Sequence, residues 1–192
     1  MLILGSSSPR RKQLLEKIGV VVDQIKFPET KEAILKYESP RDFVQRMALE
    51  KSASIECLQK DFLITADTIV VKGRRVFGKP NDVGEAEKFL RLLSGSRHKV
   101  FTCVCLLHDN KVTSKLVLTT VKMKRLSELE IKSYLNSNEW KGMAGAYAIQ
   151  GIASAFVPFI SGSYSNVVGL PIVETLGLLN GAGFRVDFSG TN

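Results

Sequence analysis

The first residues of the chain place a short apolar strand directly before a helix start. Residues 2–4 are Leu-Ile-Leu, residues 6–8 are serines, and Pro9 follows. Serine is a favoured N-cap residue and proline fits the first helical position, so Ser8 is predicted to cap a helix that ends at Gly19. A strand that leads through a polar loop into a helix exposes the backbone amides of the helix N-terminus. The stretch therefore predicts an α/β fold with an anion-binding loop; the alternative is an ordinary exposed, capped helix.

The rest of the chain alternates predicted helices with predicted strands. Beyond the helix over 10–18, we expect helices at four places: from Ser39 to about Leu58, after a capping box of Asp82 and Glu85, after Ser127 and Glu130, and over Val173 to Leu179. Strands are predicted over residues 1–4, 62–71, 100–107 and 112–123. A turn at 109–111 joins the last two strands. Because both hairpin and crossover connections occur, we expect a mixed sheet with flanking helices.

Composition limits the size of the fold and the kind of partner. The 192 residues include 44% hydrophobic residues, enough for one domain or a two-lobed one. Lys and Arg total 27 against 19 for Asp and Glu, which gives a net charge of +8. The expected partner is an anion: nucleic acid, an acidic membrane or a phosphorylated small molecule. From 142 to 184 the only charged residue is Glu174, which predicts buried elements and tight turns, or alternatively a pocket wall or subunit contact.

The cysteines and the apolar runs indicate the cellular setting. Cys57, Cys103 and Cys105 form an odd set without a CxxC pair, which argues against a disulfide framework and a zinc site. We therefore expect a reducing cytoplasm. Cys103 and Cys105 are predicted to share one buried strand face. The N-terminus lacks the pattern of a signal peptide, and no apolar run approaches the roughly 20 residues of a membrane span.

Lys51 falls within the apolar stripe of its predicted helix. The apolar residues that share this face at helical spacing are Val44, Met47, Ala48, Ile55 and Leu58. A cation there faces the protein, where an unpaired ammonium costs several kcal/mol. The side chain therefore either extends its charge out to solvent or meets an anion in a cleft.

Asp67 interrupts an otherwise apolar or small strand over residues 62–71. A buried carboxylate needs a partner, either a cation such as Lys51 or Lys79 or a hard metal ion. The alternative is a salt-bridged structural aspartate. Glu29 and Glu32 lie in a polar stretch that can bring a second carboxylate to the same metal.

Other polar residues complete the candidate set. Arg10 and Arg11 oppose the helix dipole in the first turn, which is understandable if they bind an anion. With Lys51 and Lys79 they form four cations around two carboxylates, an arrangement suited to phosphate and magnesium. Gln150 carries an amide that can read a base edge, or it is an ordinary turn glutamine. The two histidines, His98 and His108, fit no triad and are expected at strand ends.

Seven motifs together resemble the Maf family of nucleoside triphosphate pyrophosphatases, which is historically linked to septum formation. They span nearly the whole chain: SSSPRRKQLLEKIG, LEKSAS, ITADTIVV, GKP, LLSGSRHKVFT, GAYAIQG and GSYSNVVGLPIVET. The resemblance implies one α/β domain over 1–192, with two lobes around a cleft, similar to inosine triphosphate pyrophosphatases and often dimeric.

The resemblance also implies an activity and a set of site residues. A nucleoside triphosphate would be hydrolysed between its α and β phosphates with the help of Mg²⁺ or Mn²⁺. The residues implied to hold the phosphates are Ser6, Arg10, Arg11, Lys51 and Lys79. Glu32 and Asp67 would hold the metal and activate water, with Asp67 as the base. The base-facing set Arg10, Thr68 and Gln150 resembles the branch that acts on dTTP, UTP and modified pyrimidine nucleotides.

The sequence departs from the family motifs at two places, and it leaves two alternative functions open. Gly5 stands where the family more often has alanine, which we expect only to loosen the loop. The stretch FPETKEAI matches imperfectly, so Glu29 competes with Glu32 as second carboxylate. A sister branch prefers methylated GTP. The net charge alone would suit a nucleic-acid-binding regulator of division, but no helix-turn-helix, RRM or zinc pattern appears.

Overall fold

The computed structural model describes residues 1–186. It contains a seven-stranded sheet and, within the described residues, six α-helices and two short 3₁₀ helices over Ala144–Ala146 and Ile152–Phe156. The strands are β1 (Leu2–Gly5), β2 (Gln24–Lys26), β3 (Phe62–Lys72), β4 (Arg75–Phe77), β5 (Arg97–His108), β6 (Lys111–Lys122) and β7 (Phe159–Ser161). The helices are α1 (Pro9–Glu16), α2 (Pro40–Ala53), α3 (Val83–Leu93), α4 (Glu128–Asn136), α5 (Tyr164–Val168) and α6 (Ile172–Gly181).

The sheet is mixed, as predicted. Its strand order is β2-β1-β3-β5-β6-β7, with β4 beside β3. Strand β1 pairs in parallel with β2 and β3, whereas β4 and β7 pair antiparallel with β3 and β6. A two-residue turn at Asp109 and Asn110, both at positive φ, joins β5 to β6 where the sequence predicts a turn. The short strands β2, β4 and β7 were not predicted.

The chain divides into two compact units. Unit 1 comprises Met1–Asp67, Thr102–Val117 and the chain from Gly169 onwards; unit 2 comprises Thr68–Phe101 and Leu118–Val168. No helix within residues 1–186 is long and apolar enough to cross a membrane.

The core of unit 1 forms on both faces of β1. Leu2 and Leu4 pack in one cluster with residues of α1, β3, β5 and α6. Ile3, whose side chain points to the opposite face, packs with Ile55 and Leu63. Since a strand flanked by parallel neighbours is commonly covered on both faces, an unbroken apolar run is what such a strand requires. Cys103 and Cys105 are buried in this unit, as predicted.

Three expectations for the helices of unit 1 are wrong in detail. Helix α1 ends at Glu16, before Ile18, and Ser8, although it is the N-cap residue as predicted, makes no side-chain cap hydrogen bond. The Ser8 N–H instead donates to the Ser6 hydroxyl at 3.1 Å. Helix α2 ends at Ala53, because the chain then turns towards β3 and the Leu58 N–H donates to Asp61. Leu58 is therefore exposed, outside the predicted stripe.

Gly5 lies in β1, so the expectation that it loosens the following loop is wrong. The residue is buried, and an added Cβ would approach Ile55 Cδ1 and Thr65 Cγ2 to 2.6 Å. The space that a methyl group would need is already filled by these two side chains. Glycine at this position matches the larger neighbours and permits close packing of β1.

Helices α3 and α4 of unit 2 begin at the predicted caps, whereas the short helix α5 was not predicted. The Asp82 carboxylate accepts a hydrogen bond from the Glu85 N–H at 2.8 Å. The reciprocal half of this predicted capping box is wrong, because the Glu85 carboxylate accepts from the backbone and side chain of Asn81. Ser127 and Glu130 do form a full capping box at α4.

The histidines have different surroundings. His108 is the last residue of β5, in unit 1, and stacks on Phe62 with ring centroids 3.8 Å apart. His98 is the second residue of β5, in unit 2, and its buried Nε2 lies 2.7 Å from the Tyr147 hydroxyl. Burial, and secondarily the charge of Lys72, lowers the pKa of His98 to about 4.

The low pKa of His98 predicts a loss of stability in acid. Between pH 6.5 and 4 the unfolded chain takes up a proton at His98 that the folded chain does not, so the free energy of unfolding falls as pH falls. From pH 7 to pH 5 the loss is about 2 kcal/mol, measurable by urea unfolding at both values. The variant His98→Gln should lose this part of the pH dependence, and His108→Gln should retain it. Equal pH dependence in wild type and His98→Gln would contradict the assignment.

Candidate functional site

The site in unit 1 is organised by two side chains of β3 that face α2. Thr65 and Asp67 are two residues apart and so point to the same side of the strand. The Thr65 hydroxyl donates to the backbone carbonyl of Ala48 at 3.0 Å. Lys51 follows Ala48 by three residues, about one helical turn, so this contact brings Lys51 level with Asp67.

The Lys51 ammonium lies between two carboxylates. Its Nζ donates to Asp67 Oδ1 at 2.5 Å and to Glu32 Oε1 at 2.6 Å. Lys51 and Asp67 are each 7% exposed, whereas the Glu32 side chain is 46% exposed. The sequence left Lys51, Lys79 or a metal ion open as the partner of Asp67, and in the structure Asp67 pairs with Lys51. Of the two glutamates, the structure brings Glu32 to this lysine.

Burial governs the protonation of Asp67. Removal from solvent raises the pKa of its carboxyl, while the charges of Lys51 and Arg11 oppose this rise. Burial likewise lowers the pKa of the Arg11 guanidinium, and the attraction of Asp67 works against that decrease. Arg11 and Asp67 therefore belong to one electrostatic cluster.

The serine loop lies beside this cluster. The parallel pairing of β1 with β3 places Gly5 opposite Thr65, so the loop leaves β1 where β3 reaches Asp67. The Ser6 hydroxyl, buried, accepts a hydrogen bond from Arg11 Nη1 at 3.0 Å. Arg11 Nε donates to the carbonyl of Gly169 at 2.8 Å. Arg10 is half-buried, and burial lowers the pKa of its guanidinium.

Three predicted site residues belong to unit 2. Thr68 follows Asp67 on β3 and is half-buried, whereas Lys79 and Gln150 are exposed. Within this unit the Gly145 N–H donates to the Gly78 carbonyl at 3.0 Å, so the loop of Lys79 contacts the start of the segment that leads to Gln150. The joint action of these three residues with those of unit 1 stays a prediction.

Gly145 shows why that contact needs glycine. Its φ is +71°, and an added Cβ would lie 3.0 to 3.1 Å from three atoms of Val70. Only glycine adopts this conformation without cost, and only glycine leaves room for the valine.

Possible cation ligands in unit 1 are the oxygens of Glu32 and Asp67. Both carboxylates approach one Nζ, so they converge on one point. No group of three or more His, Cys, Asp or Glu suited to a metal occurs among the described residues.

Two contributors to the site were missed by the sequence analysis. Thr65 fixes β3 against α2, and Gly169 holds Arg11 through its carbonyl. Thr65 could have been found, because a hydroxyl two residues before Asp67 shares its face in a buried strand. The Gly169 carbonyl is a backbone group 158 residues from Arg11, and no local sequence pattern indicates such a contact.

The family model described as Maf-like protein matches residues 1–182. The chain belongs to the Maf family. A protein of Roseobacter denitrificans named dTTP/UTP pyrophosphatase is 52% identical over 96% of this chain and 98% of its own. Proteins with the same name from Cereibacter sphaeroides and a Ruegeria species are 50% and 48% identical, each covering 95% of this chain and 95% and 94% of their own.

The geometry around Lys51 predicts that removing its ammonium lowers the free energy of unfolding more than removing the carboxylate of Glu32. Lys51→Met should lower the free energy of unfolding by about 3 kcal/mol, because it leaves the buried Asp67 carboxyl without its ammonium. Glu32→Gln should cost less than about 1 kcal/mol, since Glu32 is half-exposed and water replaces the lost pair. Urea unfolding at pH 7 measures both values. Equal costs would contradict the distinction between a buried and an exposed partner.

Proposed function

We propose that this Maf family protein hydrolyses nucleoside triphosphates such as dTTP and UTP to the monophosphate and pyrophosphate. The observation that carries the proposal is the Lys51 ammonium held between Asp67 and Glu32, with the serine loop beside it. Cations and carboxylates gathered in this way suit an anionic substrate that is attacked by water. The names of the similar proteins supply the substrate class.

The cations of unit 1 are suited to binding the phosphates. Arg10 lies in the first turn of α1, where the helix N-terminus adds its own positive end to the field. Lys51 is a compact charge that a phosphate oxygen can approach in place of the Glu32 carboxylate. Lys79, in unit 2, is proposed as a further phosphate ligand.

A divalent cation fits the donor set of this site. Mg²⁺ prefers oxygen ligands and commonly uses one or two carboxylates together with phosphate oxygens and water. Glu32 and Asp67 supply two carboxylates that already converge on one cation, the Lys51 ammonium. We propose that these two residues hold Mg²⁺ or Mn²⁺. When bound, the ion would neutralise charge on the phosphate oxygens.

Asp67 is proposed as the general base. A base must accept a proton from water near neutral pH, and a carboxyl whose pKa is raised by burial does so better than an exposed aspartate. Lys51 holds one oxygen of this carboxylate and so fixes its orientation. The buried position also limits competing contacts with solvent.

Asp67→Asn should lower kcat by about 10²-fold or more, because the amide cannot accept the proton of the attacking water. The assay supplies dTTP, UTP and GTP with Mg²⁺ and measures pyrophosphate release. The exposed Glu29, in the same stretch as Glu32, provides a matched control, and Glu29→Gln should leave kcat unchanged. Absence of pyrophosphate with every triphosphate, or full activity of Asp67→Asn, would contradict the proposal.

The base preference is proposed to depend on Arg10, Thr68 and Gln150. Gln150 is exposed in a turn, with its amide able to donate and accept. Gln150→Ala should lower kcat/KM for dTTP about 10-fold or more relative to GTP, because a lost pair of hydrogen bonds removes discrimination rather than catalysis. A ratio of dTTP to GTP activity that does not change would exclude this role. A preference for methylated GTP in the same assay would favour the sister branch.

The assembly and location are further proposals. The predicted homodimer can be measured by sedimentation of the purified chain. Cytoplasmic location is supported by the three cysteines, all described and all free thiols.

A further inference from the structure

The Ser6 hydroxyl has both of its acceptor positions filled. The Ser8 N–H donates to Ser6 Oγ at 3.1 Å, and Arg11 Nη1 donates to the same atom at 3.0 Å. A hydroxyl has two lone pairs and one proton, and neither a backbone amide nor a guanidinium can accept. The Ser6 hydroxyl can therefore make one further hydrogen bond, in which it is the donor. Within residues 1–186, the Ser6 hydroxyl donates to no acceptor on the protein.

A second hydrogen bond fixes the Arg11 guanidinium in the orientation in which it donates to Ser6. Its Nε donates to the Gly169 carbonyl at 2.8 Å while Nη1 reaches Ser6, and the residue is buried. Because the guanidinium is planar, two fixed nitrogens determine the orientation of the whole group. A charged donor on the hydroxyl oxygen also polarises its O–H bond and strengthens it as a donor.

We infer that Arg11 is a positioning residue, which acts by directing the Ser6 hydroxyl proton towards a phosphate oxygen of the substrate. This inference rests on the proposed function, and it differs from the family-based expectation that Arg11 binds the phosphates itself. The neighbouring Arg10 keeps the role of a direct phosphate ligand. The two adjacent arginines thus have separate tasks, one inside the protein and one at the substrate.

A double-mutant cycle tests the inference. Ser6→Ala should lower kcat/KM for dTTP about 10- to 100-fold, the effect of one lost hydrogen bond to a charged group. Arg11→Gln should cause a similar loss. The combination Ser6→Ala/Arg11→Gln should be within threefold of Ser6→Ala alone, because Arg11 has nothing left to position. A combined loss that exceeds Ser6→Ala by more than threefold would overturn the inference.

Arg11→Lys separates the two roles by a second criterion. Lysine binds phosphate well as a point charge, but it has no fork to hold Ser6 and Gly169 together. If Arg11 positions Ser6, Arg11→Lys should retain less than a tenth of wild-type kcat/KM. Because Nε and Nη1 of Arg11 are already engaged, a direct contact with phosphate would be a single hydrogen bond, which lysine can also make. If Arg11→Lys retained most of the activity, the inference would be wrong. This variant also replaces Arg11→Gln in the cycle should the latter not fold, as judged by thermal unfolding.

Two controls accompany the cycle. Lys12→Gln removes one charge from the same helix, from an exposed pair with Glu16, and should leave kcat/KM unchanged. Arg10→Gln combined with Ser6→Ala should show the product of the two single losses, because both groups contact the substrate. If the wild type releases no pyrophosphate at all, the proposed function fails; if it does and the cycle is multiplicative, only the role of Arg11 fails.

Discussion

The buried ammonium of Lys51 is the interaction on which the site depends. An ammonium and a carboxylate taken out of water cost several kcal/mol each, and only close pairing offsets that cost. The fold meets this requirement with the contact of Thr65 to the Ala48 carbonyl, which fixes α2 against β3 at the correct level. A buried ion pair of this kind contributes little net stability to the fold. It becomes understandable when the same charges serve a ligand that brings its own charge.

The two carboxylate partners of Lys51 differ in exposure and in the rigidity of the segment that carries them. Asp67 is fixed on a buried strand, whereas Glu32 lies in a segment without helix or strand, between β2 and α2. The ion pair of Lys51 with the exposed Glu32 therefore costs less to break than its pair with the buried Asp67.

Much of the site was predictable because each residue breaks a local rule. Lys51 interrupts an apolar helical stripe, and Asp67 interrupts an apolar strand, so both had to face the interior and to find partners. The choice of Glu32 over Glu29 was not predictable, since both lie in a polar stretch without a periodic pattern. The buried ring of His98 was also missed, because its partner Tyr147 is distant in sequence and neighbouring residues do not indicate the pairing.

Local patterns located the helices of unit 1 better than they predicted the details of the helix ends. Ser8 is the N-cap residue, as predicted, but its side chain makes no cap hydrogen bond, and its N–H donates to the Ser6 hydroxyl. Composition identified the N-cap residue but not the orientation of its hydroxyl. Similarly, the apolar spacing of α2 continues past Ala53 to Leu58, although the backbone has already left the helix. Periodicity identified the helix and its buried face but not its last turn.

The hydrogen bond from Arg11 to Gly169 also has a consequence for folding. It joins residues 158 positions apart, so the serine loop can reach its final geometry only after the C-terminal part of unit 1 has docked. Contacts of such long sequence separation form late, since the entropy of closing the chain must be met first. A newly made chain would therefore complete its serine loop among the last events of folding, after the rest of unit 1 is in place.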